Sequence, residues 1–69
     1  MRKWSDELIE LSEEYLNYSG SCVKSLQGEF GILIIDYENN IYTIHISNSN
    51  QTLTFKSVQE IINSGWAVD

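Results

Sequence analysis

The chain has 69 residues, with ten carboxylate side chains against four basic ones and a net charge of −6. A chain this short buries only about 60% of the surface its unfolded form exposes, so its core is small. The acidic balance excludes direct binding to nucleic acid or to an anionic membrane and points instead to a neutral or basic partner.

Cys22 is the one cysteine, so an internal disulfide is excluded, and no paired Cys and His positions offer a zinc staple. Stability therefore falls to packing or to a second chain. Arg2, Lys3 and Trp4 follow Met1 without the apolar run of a leader, and the longest apolar run, Ile32 to Ile35, is too short to cross a bilayer. Together with a free thiol, these features give the expectation of a cytoplasmic protein forming one small domain over residues 1–69.

Ser5 is a candidate N-cap, followed by Asp6 and Glu7 where the positive end of a helix dipole favours carboxylates. Trp4, Leu8, Leu11, Tyr15 and Tyr18 recur at three- and four-residue spacing, with Ile9 and Leu16 widening the stripe. Asp6, Glu7, Glu10, Glu13, Glu14 and Asn17 fill the opposite arc. This spacing predicts an amphipathic helix over 6–18, stopped near Gly20. Residues 19–27 lack a sustained period, with Cys22, Val23 and Leu26 as their only apolar anchors, and read as a connector with room for one helical turn. Gly28 then opens the first strand.

Residues 30–37, 41–46 and 52–56 are rich in β-branched and aromatic types and bounded by Asn and Ser clusters, the pattern of an antiparallel meander. Asn39 and Asn40 suit a type I′ turn, which places Tyr37 opposite Tyr42, Ile35 opposite Ile44 and Leu33 opposite Ile46. A loop over 48–51 sets Ile46 opposite Leu53 and Ile44 opposite Phe55. Both hairpins select one core face: Leu33, Ile35, Ile44, Ile46, Leu53 and Phe55.

Ser57 and Glu60 have capping-box spacing, so a short helix begins at Val58, turns Val58, Ile61 and Ile62 inward, and ends at Gly65. Residues 66–69 extend as a terminal strand or pack the Trp66 indole on the sheet. The predicted fold is α+β: a three- or four-stranded antiparallel meander sheet, the amphipathic N-terminal helix packed on one face, and a short C-terminal helix.

Two surfaces are candidates for function. Asp6, Glu7, Glu10, Glu13 and Glu14 form a one-signed arc with no Lys or Arg inside the helix to pair with. Such an arc suits a basic site on a larger protein, and in its most concrete form a row of carboxylates imitates a phosphate backbone, as phage-type anti-defence DNA mimics do as a class. Its neutralisation by Arg2, Lys3, Lys24 or Lys56 would remove that surface. The second candidate is the outer side of the first strand, Phe30, Ile32 and Ile34, which is either covered by a helix or by Trp66 and Val68, or left exposed as an interface, including one for a homodimer.

Trp4 and Trp66 lead the aromatics as interface candidates because they sit at element ends. Cys22 and His45 would make a nucleophile and base only if brought within hydrogen-bond reach, and nothing in their spacing predicts it. The expected function is thus non-enzymatic protein binding, an inhibitor or regulator, with no cofactor and no metal.

Overall fold

The structure, a computed structural model, describes residues 4–69. Helix α1 (Asp6–Tyr15) leads into strand β1 (Ser21–Ser25), then β2 (Phe30–Asp36), β3 (Ile41–Ile46), β4 (Thr52–Phe55), helix α2 (Val58–Asn63) and β5 (Trp66–Val68). The strands form one antiparallel sheet in the order β4-β3-β2-β1-β5. The α+β class and the helix at each end of the meander are as the sequence predicts, and of the two alternatives for the last residues the terminal strand is the one adopted. The sheet has five strands rather than three or four because residues 21–25, read as part of a connector, are a strand.

The signal for β1 was hidden by its composition. Its core-side positions are Ser21, Val23 and Ser25, of which only Val23 is apolar, and Cys22 and Lys24 point to the other face. The inward serines serve the backbone instead of the core. Ser21 Oγ donates to the carbonyls of Tyr15 (3.2 Å) and Tyr18 (2.6 Å). Ser25 Oγ accepts the amides of Gln27 (3.2 Å) and Glu29 (3.0 Å). Gly28 does not open a strand. With φ of +89° it closes the β1–β2 turn, its amide donating to the Ser25 carbonyl at 3.1 Å.

Helix α1 starts where predicted, Ser5 Oγ accepting the Leu8 amide at 3.3 Å. It ends at Tyr15, short of residue 18, because side chains take over its last carbonyls. Asn17 Nδ2 donates to the carbonyls of Glu13 (2.8 Å) and Glu14 (3.3 Å), alongside the bonds from Ser21.

Both hairpins keep the predicted face and change the predicted partners. Ile35 faces Tyr42 and Leu33 faces Ile44, while Ile44 faces Leu53 and Tyr42 faces Phe55. Each pairing has slid by two positions, which preserves side-chain parity and hence the core. The cause in the first hairpin is Asp36. Its carboxylate accepts the amides of Glu38 (3.2 Å) and Asn39 (3.3 Å) and the Asn39 side-chain amide (2.9 Å), fixing a four-residue loop in which only Asn40 has positive φ. Tyr37, freed from the sheet, accepts the Ser19 amide at its hydroxyl (2.9 Å) and donates to the Asn17 carbonyl (3.0 Å).

The core cluster joins Val23, Leu33, Ile35, Ile44 and Ile46 of the sheet to Leu16, Ile61 and Trp66, with Leu53 and Phe55 packed at its margin. Gly31 lies on this face opposite Ile46, where a Cβ would meet the His45 carbonyl oxygen at 2.7 Å, so the strands approach too closely there for any other residue. Helix α2 is capped as its spacing predicts. Ser57 Oγ accepts the Glu60 amide (3.2 Å) and Glu60 in turn accepts the Lys56 amide (2.7 Å), one position earlier than a standard capping box.

Helix α1 packs on β5 and α2 and is rotated from its predicted orientation. Its innermost line runs through Ile9, Ser12 and Leu16, while Leu11, Tyr15 and Tyr18 of the predicted stripe are exposed. Ser12 sets this rotation. It is fully buried, and its Oγ accepts the amide of Val68 at 3.0 Å. That amide points away from β1 at the outer edge of the sheet, so the serine gives the terminal strand the partner that a sixth strand would have supplied.

Replacing Ser12 with alanine leaves the part-buried Val68 amide without its acceptor, which costs about 1–3 kcal/mol. Urea denaturation reads the loss, and hydrogen exchange at Val68 should accelerate with it; an unchanged midpoint and unchanged exchange would refute the role given to the hydroxyl.

A second expectation concerns pH. The Asn39 side chain, then its backbone amide, hold the Asp36 carboxyl below its ordinary value of 3.8, helped by the Glu38 amide and opposed by slight desolvation. A carboxyl depressed in the folded state stabilises the fold while ionised, fully above the unfolded value and no longer once pH has fallen through the folded one. Asp36→Ala should therefore lower the melting temperature at pH 7, with the gap to wild type closing as pH falls below 3.8. A gap that persists in acid would contradict this.

Candidate protein-binding surface

The five carboxylates proposed from the sequence, Asp6, Glu7, Glu10, Glu13 and Glu14, all lie on α1 and all are exposed. Glu10 has like-charged neighbours at i−4, i−3, i+3 and i+4, and each such pair weakens a helix by about 0.2–0.5 kcal/mol. Glu13 and Glu14 also occupy the last turns, where the dipole disfavours negative charge and no basic residue is present. Among the described residues the one ion pair is Lys24 Nζ with Asp69 at 4.0 Å, away from this arc. Glu13 accepts a neutral hydrogen bond from Gln59 Nε2 at 3.2 Å. Arg2 and Lys3, named above as candidate counter-ions, lie outside the described residues.

Among the described residues, the outer side of β2 is uncovered. Phe30 is 53% exposed, Ile32 42% and Ile34 44%, and Ile41 continues the patch on β3. Trp66 does not fold over it, being buried in the core on the opposite side. Across the strands Cys22, Ile32, His45 and Thr52 form one row, with Ile34, Thr43 and Thr54 beside it. His45 thus neighbours Ile32 and Thr52, the two-position slide having moved it from Ile34 and Thr54. Cys22 and His45 share this face with β2 between them. Two strand spacings, about 9–10 Å, keep the thiol out of hydrogen-bond reach of the imidazole.

The two surfaces proposed from the sequence are neighbours through a feature it did not reveal. Because α1 is rotated, Leu8, Leu11 and Tyr15 face Cys22 and Val68 across an open groove of ≈500 Å³. Leu11 is shared with a shallow depression lined by Glu7, Glu10 and Glu14. Apolar surface therefore runs from β2 across Cys22 to the exposed side of α1 and meets the carboxylates there. The one available signal was Ser12, a polar residue interrupting the line of Ile9 and Leu16.

At the other end of α1, Trp4 is half-buried. Lys24 Nζ stands 6.0 Å from its ring centroid, and its indole N–H is buried with no acceptor among the described residues. No group of three His, Cys, Asp or Glu able to hold a metal occurs among the described residues, and no helix among them is long and apolar enough to cross a membrane. Comparison with protein-family models, with curated proteins and with solved structures returns no match.

Because the outer face contributes nothing to the core cluster, Ile34→Thr should change stability by no more than about 0.5 kcal/mol. Leu33→Ala, one residue away and fully buried, should cost about 2–5 kcal/mol. Paired chemical denaturation curves check the contrast, and equal losses would mean that the outer face is covered in solution.

Proposed function

We propose that the protein is a non-enzymatic binding module that sets the acidic side of α1, Asp6 to Glu14, against a basic surface on a larger protein. In this reading it inhibits or regulates its partner by occupying a site that otherwise takes nucleic acid. The observation that carries the proposal is the crowding of carboxylates around Glu10 with no cationic side chain set among them in the described residues. A helix selected only for its own stability would alternate its charges. Here the repulsion is relieved when cations from outside approach, which speeds encounter and favours basic partners over others. The carboxylates rise along α1 at intervals of roughly 4.5 and 6 Å, a rigid array suited to Lys and Arg side chains placed to grip phosphates.

Stability and binding should separate under charge reversal. Glu10→Lys replaces four repulsive pairs by attractive ones, so the melting temperature should rise while affinity for a basic partner captured from lysate at low salt falls at least about tenfold. Titration by calorimetry with the captured partner and thermal melts of the same samples read both. Unchanged affinity at low ionic strength would sink the proposal.

A second reading is favoured by the uncovered patch of Phe30, Ile32 and Ile34, namely a homo-oligomeric assembly component that associates through the outer face of β2. It requires a stable dimer at micromolar concentration, which light scattering detects, and a monomer there would exclude it.

A further inference from the structure

The groove beside α1 presents two chemistries at once. Leu11 and Tyr15, 45% and 48% exposed, form an apolar wall above Cys22 and Val68. Directly behind Leu11 stand Glu7, Glu10 and Glu14. At the opposite lip the Asp69 carboxylate is matched by Lys24, so the unbalanced charge lies along the helix side. An occupant must offer apolar side chains to the wall and floor and cations to the ridge. A second copy of this chain answers poorly, because it brings a further net charge of −6 toward the same ridge. A uniformly basic segment would satisfy the ridge and leave the apolar wall in water.

We infer that this groove takes an amphipathic basic segment of a partner protein, its apolar side on Leu11, Tyr15 and Cys22 and its cationic side along Glu7, Glu10 and Glu14. The inference rests on the acidic-helix reading above and adds how the partner is held: anchored by apolar side chains, with charge setting orientation and approach. Cys22 in the groove pairs with Ile32, so a longer segment continues from the groove onto the outer side of β2.

The probe is a synthetic leucine/lysine peptide patterned as an amphipathic helix, with a control of the same composition and scattered leucines. The patterned peptide should bind at least about tenfold tighter at equal salt, by fluorescence anisotropy, and should slow alkylation of the exposed Cys22 by a similar factor. Leu11→Ser and Tyr15→Ser, both at exposed positions that leave folding intact by circular dichroism, should each weaken it about tenfold. Equal binding of the two peptides, or free alkylation of Cys22 at saturating peptide, overturns the inference. If both serine variants bind normally while Glu10→Lys does not, the groove is wrong and the acidic reading survives. If Glu10→Lys binds normally at low salt while Leu11→Ser does not, the acidic reading falls, and with it the basic character of the occupant. Protection of Cys22 without peptide, in a sample that scatters as a dimer, puts a second copy in the groove and overturns the inference as well.

Discussion

One hydrogen bond, from the Val68 amide to Ser12 Oγ, decides how the first helix sits. A three-residue strand at the rim of a sheet has few bonds of its own and leaves an outward amide that must find an acceptor or stay wet. A small hydroxyl on a helix meets that demand, and only a small residue lets the helix come close enough. Once Ser12 is fixed inward, the 100° step of the helix determines everything else on it. Leu16 enters the core, Leu11 and Tyr15 turn outward, and the carboxylates take the remaining arc. The edge of the sheet, the groove and the acidic ridge are thus three results of a single contact.

This placement leaves a molecule with unlike sides. Core residues from five strands and two helices fill one face of the sheet. The other face carries Phe30, Ile32, Ile34 and Ile41 with little charge: Lys24 and Lys56 at its margins and Asp36 at the end of β2. Half of the ten carboxylates lie on α1. The apolar and acidic surfaces adjoin at Leu11, which lines both the groove and the depression among Glu7, Glu10 and Glu14.

The fold was legible wherever a pattern repeated. Agreement between the two hairpins identified the buried face, and it did so despite wrong partners in both, because a slide of two positions leaves parity untouched. The Ser57 and Glu60 spacing gave the short helix. What escaped were the places where polar residues do structural work. Ser21 and Ser25 of β1 serve backbone groups of the segments that flank it, Asp36 shapes the loop through Asn39 and Asn40, and Ser12 takes a core position in place of an apolar side chain. Ser21, Ser25 and Asp36 bond backbone groups within six positions, and Ser12 bonds one 56 positions away; none of these bonds follows a hydrophobic period, so a reading by apolar spacing passes over them. The acidic residues of the candidate surface could be read directly; its apolar wall, Leu11 and Tyr15, could not, since helical spacing alone assigned both to the core.

The strand order has a further consequence for how the chain comes into being. The last strand lies against the first, and the N-terminal helix rests on that last strand. During synthesis, at about 5–20 residues per second, β2, β3 and β4 can pair as they leave the ribosome, but α1 lacks its docking surface on β5 until Trp66 to Val68 have emerged. Closure is therefore a late event that couples α1 to β5, and a nascent chain arrested short of residue 66 would leave its first helix without the Ser12 to Val68 bond.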